Sequence, residues 1–484
     1  MMKKIQFVIV AMLTIMLIGF NWDFVNASTK QNGEKYNFDT LDSYLVQQVQ
    51  RNRIPGLAIA IVEDDEIVFI NGYGNAHPGL PVTPQTQFYL GSTTKSFTAL
   101  AAMHLVQEGK LDLDKPVQHY LPWFKVADEE ASRTITVRQL LNHTSGLSAT
   151  QDPNVDVYTD TLKEQAQYLQ YVSPVAEPGE QFEYYNQNYR VIGCLIEEIS
   201  GLSYSDYLRQ HIFLPLGMKN TVTSPDEAEQ LAQGYSRMLG YPVAMEQDYN
   251  PGALPSGYII TTAEDMGKYL LVHLNNTVDG DSYLDPILMN QLHTPPTGVD
   301  SIYAMGWMKD GDKIAHGGSI YSFQTFMMLD MEKKNGFILL INQNSMQNMM
   351  AENANIITNV ENFLDGSPIE SKDFRWIGWL LSGLILLDIG NHVRLFNRLV
   401  KKCQSGTFSK TIWQWLITIS GIILPLAILI GLPTLVHQLD GGAPNWYEPF
   451  RLMPDLTIWL IAGTSLTLSR NFLKLFLMNK QRAV

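Results

Sequence analysis

Apolar and polar positions divide the chain into a patterned middle and two strongly apolar ends. In the middle, residues 56–62 and 66–71, parted by Glu63-Asp64-Asp65, have the paired apolar runs and polar break of a β-hairpin. Residues 323–329 and 336–341, joined by residues 330–335, predict a second hairpin near the other end of that region. Between the two, a helical period dominates, with helices expected over 96–108, 136–141 and 187–200. Clusters of Pro and Gly at 72–84, 251–257 and 295–298 punctuate the region as surface loops. Strands at both ends with helices inserted between them predict an α+β sheet domain carrying a helical domain.

The ends follow other rules. Met-Met-Lys-Lys, an apolar run over 5–20 and the small residues Val25-Asn26-Ala27-Ser28 predict a secretory signal, residues 1–27, cut after Ala27. An uncleaved anchor helix is the alternative, and either way the following chain is exported. A polar linker is expected over 28–37. At the other end, residues 412–436 hold no charge and are long enough to cross a ~30 Å hydrocarbon layer. Residues 376–389, interrupted by Asp388, and 456–468, flanked by Arg451, Arg470 and Lys474, are weaker apolar segments. Arg394, Arg398, Lys401, Lys402 and Lys410 separate the first two segments, and Arg470, Lys474, Lys480 and Arg482 follow the third. Basic loops stay in the cytoplasm, so three passes with the body outside satisfy both length and charge. A second linker, 368–375, is expected to join the body, 38–367, to this membrane tail, 376–484.

Composition sharpens the division. The 484 residues are 45% hydrophobic and 17% charged, ample for a core, with 34 Lys+Arg against 48 Asp+Glu. The net charge of −14 opposes nucleic acid as the main partner. Residues 376–484 carry ten basic and four acidic side chains, so the acidity belongs to the body. Cys194 and Cys403 are too few for a disulfide scaffold and fall on opposite sides of the expected membrane.

Three short stretches carry chemistry. Ser92-Thr93-Thr94-Lys95 opens a predicted helix, and i, i+3 spacing puts hydroxyl and amine on one face a turn apart. A helix N-terminus and partial desolvation lower a lysine pKa, leaving an amine able to take the Ser92 proton. Tyr184-Tyr185-Asn186 adds a phenol that can relay that proton and, in Asn186, an amide able to hold Lys95 and a substrate amide together. His316-Gly317-Gly318-Ser319 enters the second hairpin, where Gly318 admits a close backbone approach and the Ser319 N–H, with that of Ser92, can form an oxyanion hole. No metal-ligand spacing such as H-E-x-x-H is present, and no cofactor is expected.

Taken in this order, the three motifs resemble the serine β-lactamase and penicillin-binding protein superfamily, and more narrowly the class C β-lactamase-related family of D-alanyl-D-alanine carboxypeptidases and esterases. Leu140-Leu141-Asn142-His143-Thr144-Ser145-Gly146-Leu147, Pro215-Leu216-Gly217-Met218, Pro255-Ser256-Gly257 and Met305-Gly306-Trp307 match that family's habits. The resemblance runs from about residue 38 to 363. It implies a β-lactamase/transpeptidase-like fold, an antiparallel sheet flanked by helices with an inserted helical domain. It also implies an acyl-enzyme on Ser92, proton handling by Lys95 and Tyr184, and substrate contacts from Asn186, His316, Gly318 and Ser319. The substrate would be a cell-wall D-amino-acid peptide, a small ester or amide, or a β-lactam.

Three departures bear on substrate. His316 stands where β-lactamases usually place a Lys for the substrate carboxylate, Tyr258 follows Gly257 where relatives often have a second Gly, and Tyr321-Ser322-Phe323 replaces a frequent Gly-Phe pair. His143 and Ser145 suggest a Ser–His pair, but no G-x-S-x-G elbow surrounds Ser145 and the loop reads as structural. The expectation is therefore a membrane-tethered extracytoplasmic serine hydrolase, with a β-lactamase as runner-up. The rival of another class is an idle ectodomain that binds wall fragments or β-lactams.

Overall fold

The computed structural model describes residues 36–152, 157–405, 412–440 and 446–480. The expected signal, and all of the first linker except Tyr36 and Asn37, lie outside them. Helix α1 (Phe38–Asn52) begins where Asn37 accepts a hydrogen bond from the Thr40 N–H, and it leads into strands β1 (Gly56–Glu63), β2 (Glu66–His77) and β3 (Leu80–Pro81). Helices α2 (Thr94–Gln107), α3 (Val137–Leu141), α4 (Asn186–Ser200) and α5 (Ala263–Asn275) follow. The chain returns through β4 (Met308–Asp310), β5 (Lys313–Ile320), β6 (Phe323–Asp330) and β7 (Asn335–Ile341) to helix α6 (Asn353–Leu364).

The seven strands form one antiparallel sheet in the order β4-β5-β6-β7-β1-β2-β3, so the two predicted hairpins meet where β7 pairs with β1, Ile59 opposite Leu339. Side chains alternate along a strand, and β1 is apolar on both faces because both are covered. Leu57, Ile59 and Ile61 pack with Leu41, Leu45, Ile356 and Val360 of α1 and α6. Ala58, Ala60 and Val62 face the larger core built from the inserted helices. Gly267 of α5 lets that helix close on the sheet, since a Cβ there would sit 2.6 Å from Ile67 Cδ1. The predicted helix over 136–141 is a capped turn: Thr136 and Gln139 exchange side-chain bonds with each other's backbone N–H.

Beyond α6, the segment expected to be a linker is tied down. Glu370 N–H donates to Asn359 Oδ1 at 2.6 Å and Gln48 Nε2 to Ser371 Oγ at 2.8 Å. Three long helices follow, α7 (Arg375–Gln404), α8 (Ile412–Asp440) and, after a short turn of helix, α9 (Pro454–Lys480). Among the described residues two of the three, α7 and α8, are long and apolar enough to cross a membrane. Helix α9 has the length, and two of its side chains bond to its neighbours: Trp459 Nε1 donates to Asp388 at 3.0 Å and Lys474 Nζ to Thr418 at 2.6 Å. The stretch between α8 and α9 reaches the body. Arg451 pairs with Asp248, stacks 3.7 Å above the Tyr321 ring, and its carbonyl accepts from Ser236 Oγ at 3.1 Å.

Candidate active site

Ser92 sits in a single 3-10 turn, Gly91–Thr93, that runs straight into α2. The turn is held from two sides, because Thr93 and Thr325 both donate to the Leu90 carbonyl, at 2.8 and 2.7 Å. Lys95 is the first-turn residue of α2 and is wholly buried. Its amine is hydrogen-bonded to the Ser92 hydroxyl at 3.0 Å and donates to the Ser256 carbonyl at 2.7 Å. Burial, with the Arg190 guanidinium nearby adding repulsion, holds Lys95 well below the usual lysine range. An amine held below its ordinary pKa against a serine hydroxyl has the geometry a general base needs.

Tyr184 covers this pair, with its ring centroid 4.9 Å from Lys95 Nζ. The residue is 38% exposed, yet burial around the phenol raises its pKa, and the Ser92 hydroxyl partly offsets that rise. The phenol therefore stays protonated, and of the two groups beside Ser92 the amine is the one able to accept. Helix α4 starts at Asn186, whose neighbours Tyr189 and Arg190 are buried toward the site; Arg190 Nε donates to Ser256 Oγ at 3.2 Å.

Strand β5 closes the opposite wall. A Cβ on Gly318 would fall 1.9 Å from the Leu90 carbonyl oxygen, and one on Gly91, at φ +58, would fall 2.6 Å from Ser319 N. Only glycine permits that approach, and it brings the Ser319 amide alongside the turn that carries Ser92. The Ser319 side chain is exposed and accepts from Asn344 Nδ2 at 2.8 Å. His316 is buried, its Nδ1–H donating to the Gly317 carbonyl at 2.7 Å while Nε2 accepts from the Tyr303 hydroxyl at 3.1 Å, a tautomer assigned from these partners. Burial, and Lys95 next, push His316 down to about 3, so it is uncharged at neutral pH.

Ser92, Lys95, Tyr184, His316, Gly318 and Ser319 thus converge. Asn186 does not meet Lys95 as expected: it is exposed at the first position of α4, and among the described residues no hydrogen bond joins the two. The Ser256 carbonyl takes that place. Three contributors went unassigned in the sequence, namely Ser256, Arg190 and Tyr303. Pro255-Ser256-Gly257 and the Met305-Gly306-Trp307 stretch gave a signal for two of these regions. Gly306 abuts the Lys95 carbonyl, where a Cβ would fall at 2.8 Å, and Pro255 fills the space beside Gly193 of α4. Among the described residues no group of three His, Cys, Asp or Glu could hold a metal ion.

The Beta-lactamase family model matches residues 41–360, which includes every one of these residues. The chain belongs to the Beta-lactamase family. It has the β-lactamase/penicillin-binding-protein fold, and the family is of the serine-hydrolase kind. Among members, protein flp of Staphylococcus aureus (strain MRSA252) is 28% identical over 459 residues, 90% of this chain and 88% of that one. That alignment is longer than the matched family region, so it extends into the tail. Penicillin-binding protein 4 of Amycolatopsis lactamdurans is 30% identical over 289 residues, covering 56% of this chain and 72% of the other. The structure of the octameric penicillin-binding protein homologue from Pyrococcus abyssi aligns with a TM-score of 0.58 at 27% identity, over 72% of this chain and 81% of that one.

Proposed function

We propose that this protein is a membrane-anchored, extracytoplasmic serine hydrolase that acts through an acyl-enzyme on Ser92. Its substrates would be cell-wall D-amino-acid peptides or small esters and amides. The observation that carries this reading is the buried Lys95 amine, kept below its ordinary pKa and 3.0 Å from the Ser92 hydroxyl.

Lys95 takes the Ser92 proton as Oγ bonds to the substrate carbonyl carbon. The oxygen, now negative, is held by the Ser92 and Ser319 N–H groups. As the tetrahedral intermediate collapses, the leaving amine or alcohol takes a proton from the Tyr184 phenol, which is refilled from the Lys95 ammonium. Water then attacks the acyl-enzyme, Lys95 accepts its proton, and the acid leaves as Ser92 is reprotonated. Asn186, exposed beside Tyr184, is assigned to the substrate amide, and His316 to the wall of the cleft. A neutral His316 with both nitrogens engaged offers no cation to a substrate carboxylate, which favours esters and amides with no carboxylate beside the scissile bond over β-lactams. The membrane reading rests on α7 and α8, on loop charge and on the alignment with protein flp that enters the tail.

Intact mass of the detergent-solubilised full chain tests the chemistry, after incubation with a fluorophosphonate and, separately, a penicillin. We expect a covalent adduct on the native chain and none on Ser92→Ala. Absence of any adduct from the native chain would leave only the binding-ectodomain reading. Orientation is checked with a membrane-impermeant thiol reagent on intact cells, which should leave Cys403 unlabelled, Cys194 being buried.

A further inference from the structure

We propose that His143 is a positioning residue for Tyr184, an assignment that rests on the hydrolase reading above. His143 holds the chain on both sides of that tyrosine. Its carbonyl accepts from the Glu183 N–H at 2.8 Å, and its ring Nδ1 accepts from the Tyr185 N–H at 3.2 Å. The imidazole also packs on the phenol ring itself, with centroids 4.4 Å apart, and Tyr303 and Tyr189 close round it at 4.8 and 5.1 Å.

The backbone at this residue gives a second, independent reason. Helix α3 ends in a left-handed cap in which His143 N–H donates to the Leu140 carbonyl and Thr144 N–H to that of Gln139, at 3.2 and 2.8 Å. His143 occupies the left-handed position, φ +56, where glycine is the usual residue. That cap fixes the direction in which the imidazole leaves the backbone. What the ring touches is the Tyr184 segment.

The ring is itself locked. Nδ1 accepts a further bond from Asn188 Nδ2 at 3.1 Å, and Asn188 Oδ1 in turn accepts from Ser145 Oγ at 2.9 Å. Two donors on Nδ1 place the ring proton on Nε2. Complete burial, with Lys95 and His316 nearby, keeps the imidazole well below its ordinary pKa, so Nδ1 remains an acceptor. Ser145 thus enters as the support of Asn188, and its Oγ–H is spent there and not on His143.

The test is a double-mutant cycle on the full chain, reading the rate of penicillin adduct formation, in which the departing amine needs a proton, with its half-saturating concentration and the melting temperature. His143→Phe keeps a ring but removes the acceptor. Its maximal rate should fall roughly 10²-fold, the usual scale of a small misplacement, with the half-saturating concentration little changed. His143→Gln, which restores an acceptor, should recover part of the loss. On a Tyr184→Phe background either substitution should add less than about 3-fold, because the group being positioned is already gone. Losses that multiply across the two sites, or a native rate in His143→Phe, would overturn the assignment. Should His143→Phe fail to fold, His143→Gln carries the same cycle. A native chain that forms no adduct removes this proposal together with the hydrolase reading, whereas a reactive native chain with unimpaired His143 variants removes this one alone.

Discussion

Helices α2 and α7 are both rich in apolar side chains, and they meet opposite surroundings. Helix α2 is buried on almost every side, and the apolar shell around it comes from the protein's own strands and helices. That shell strips water from Lys95 and lowers its pKa. Helix α7 has no such cover: Trp379 is 65%, Leu386 68% and Leu387 73% exposed. Apolar side chains therefore do two jobs. Where the fold supplies the low-dielectric medium, they tune a reacting group. Where the fold supplies none, the helix is left with a surface suited to lipid.

The comparison is broken most directly at Lys95. Lys95→Met should lower the adduct rate by about 10³-fold or more, as loss of a base in a nucleophile–base pair does. In the native chain the neutral amine is the active form, so the rate should rise with pH through the lowered Lys95 pKa and then level off. The stability effect runs in the same direction. Below pH 10.5 the unfolded chain protonates Lys95 while the native chain resists, so stability at this site grows with pH across the interval between the two pKa values. Lys95→Met removes that penalty and should raise the melting temperature at neutral pH while activity is lost. A lower melting temperature would mean that the buried amine is a net support of the fold.

A core-versus-tail pair sharpens the contrast next. Phe97 of α2 is fully buried and stacks on Tyr269 at 3.9 Å, so Phe97→Ala should cost roughly 3–5 kcal/mol in denaturant unfolding. Leu387→Ala on the exposed face of α7 should change unfolding of the solubilised chain by less than about 0.5 kcal/mol. Comparable losses would show that α7 packs into a core of its own. The smallest effect belongs to the seam between the regions. Arg451→Ala removes an ion pair to the largely exposed Asp248 and a stack on Tyr321, together about 1 kcal/mol. Hydrogen exchange should quicken over 235–248 with the adduct rate unchanged.

Much of this was legible in the sequence because it depends on short spacings. Paired apolar runs with a polar break between them located both hairpins, although β2 extends to His77, past the predicted end, since its pairing with β1 continues through Gly74 and that with β3 beyond. The i, i+3 spacing of Ser92 and Lys95 put hydroxyl and amine on one face, and the glycines of the third motif foretold a backbone approach. A helical period and capping residues are local properties of the chain, so they survive without knowledge of the fold.

What the sequence could not rank was partnership across long separations. That Ser256 and not Asn186 takes the Lys95 amine, that Arg190 adds charge to its pocket, and that His143 reaches both sides of Tyr184 are set by how α2, α3 and α4 pack. The same holds for the docking of Arg451 on Tyr321 and for the neutrality of His316. Residue types and their spacing determined which groups were able to react. Only the packed structure decided how dry each became and which neighbour it faced, because desolvation and hydrogen bonding are fixed by surroundings drawn from the whole chain.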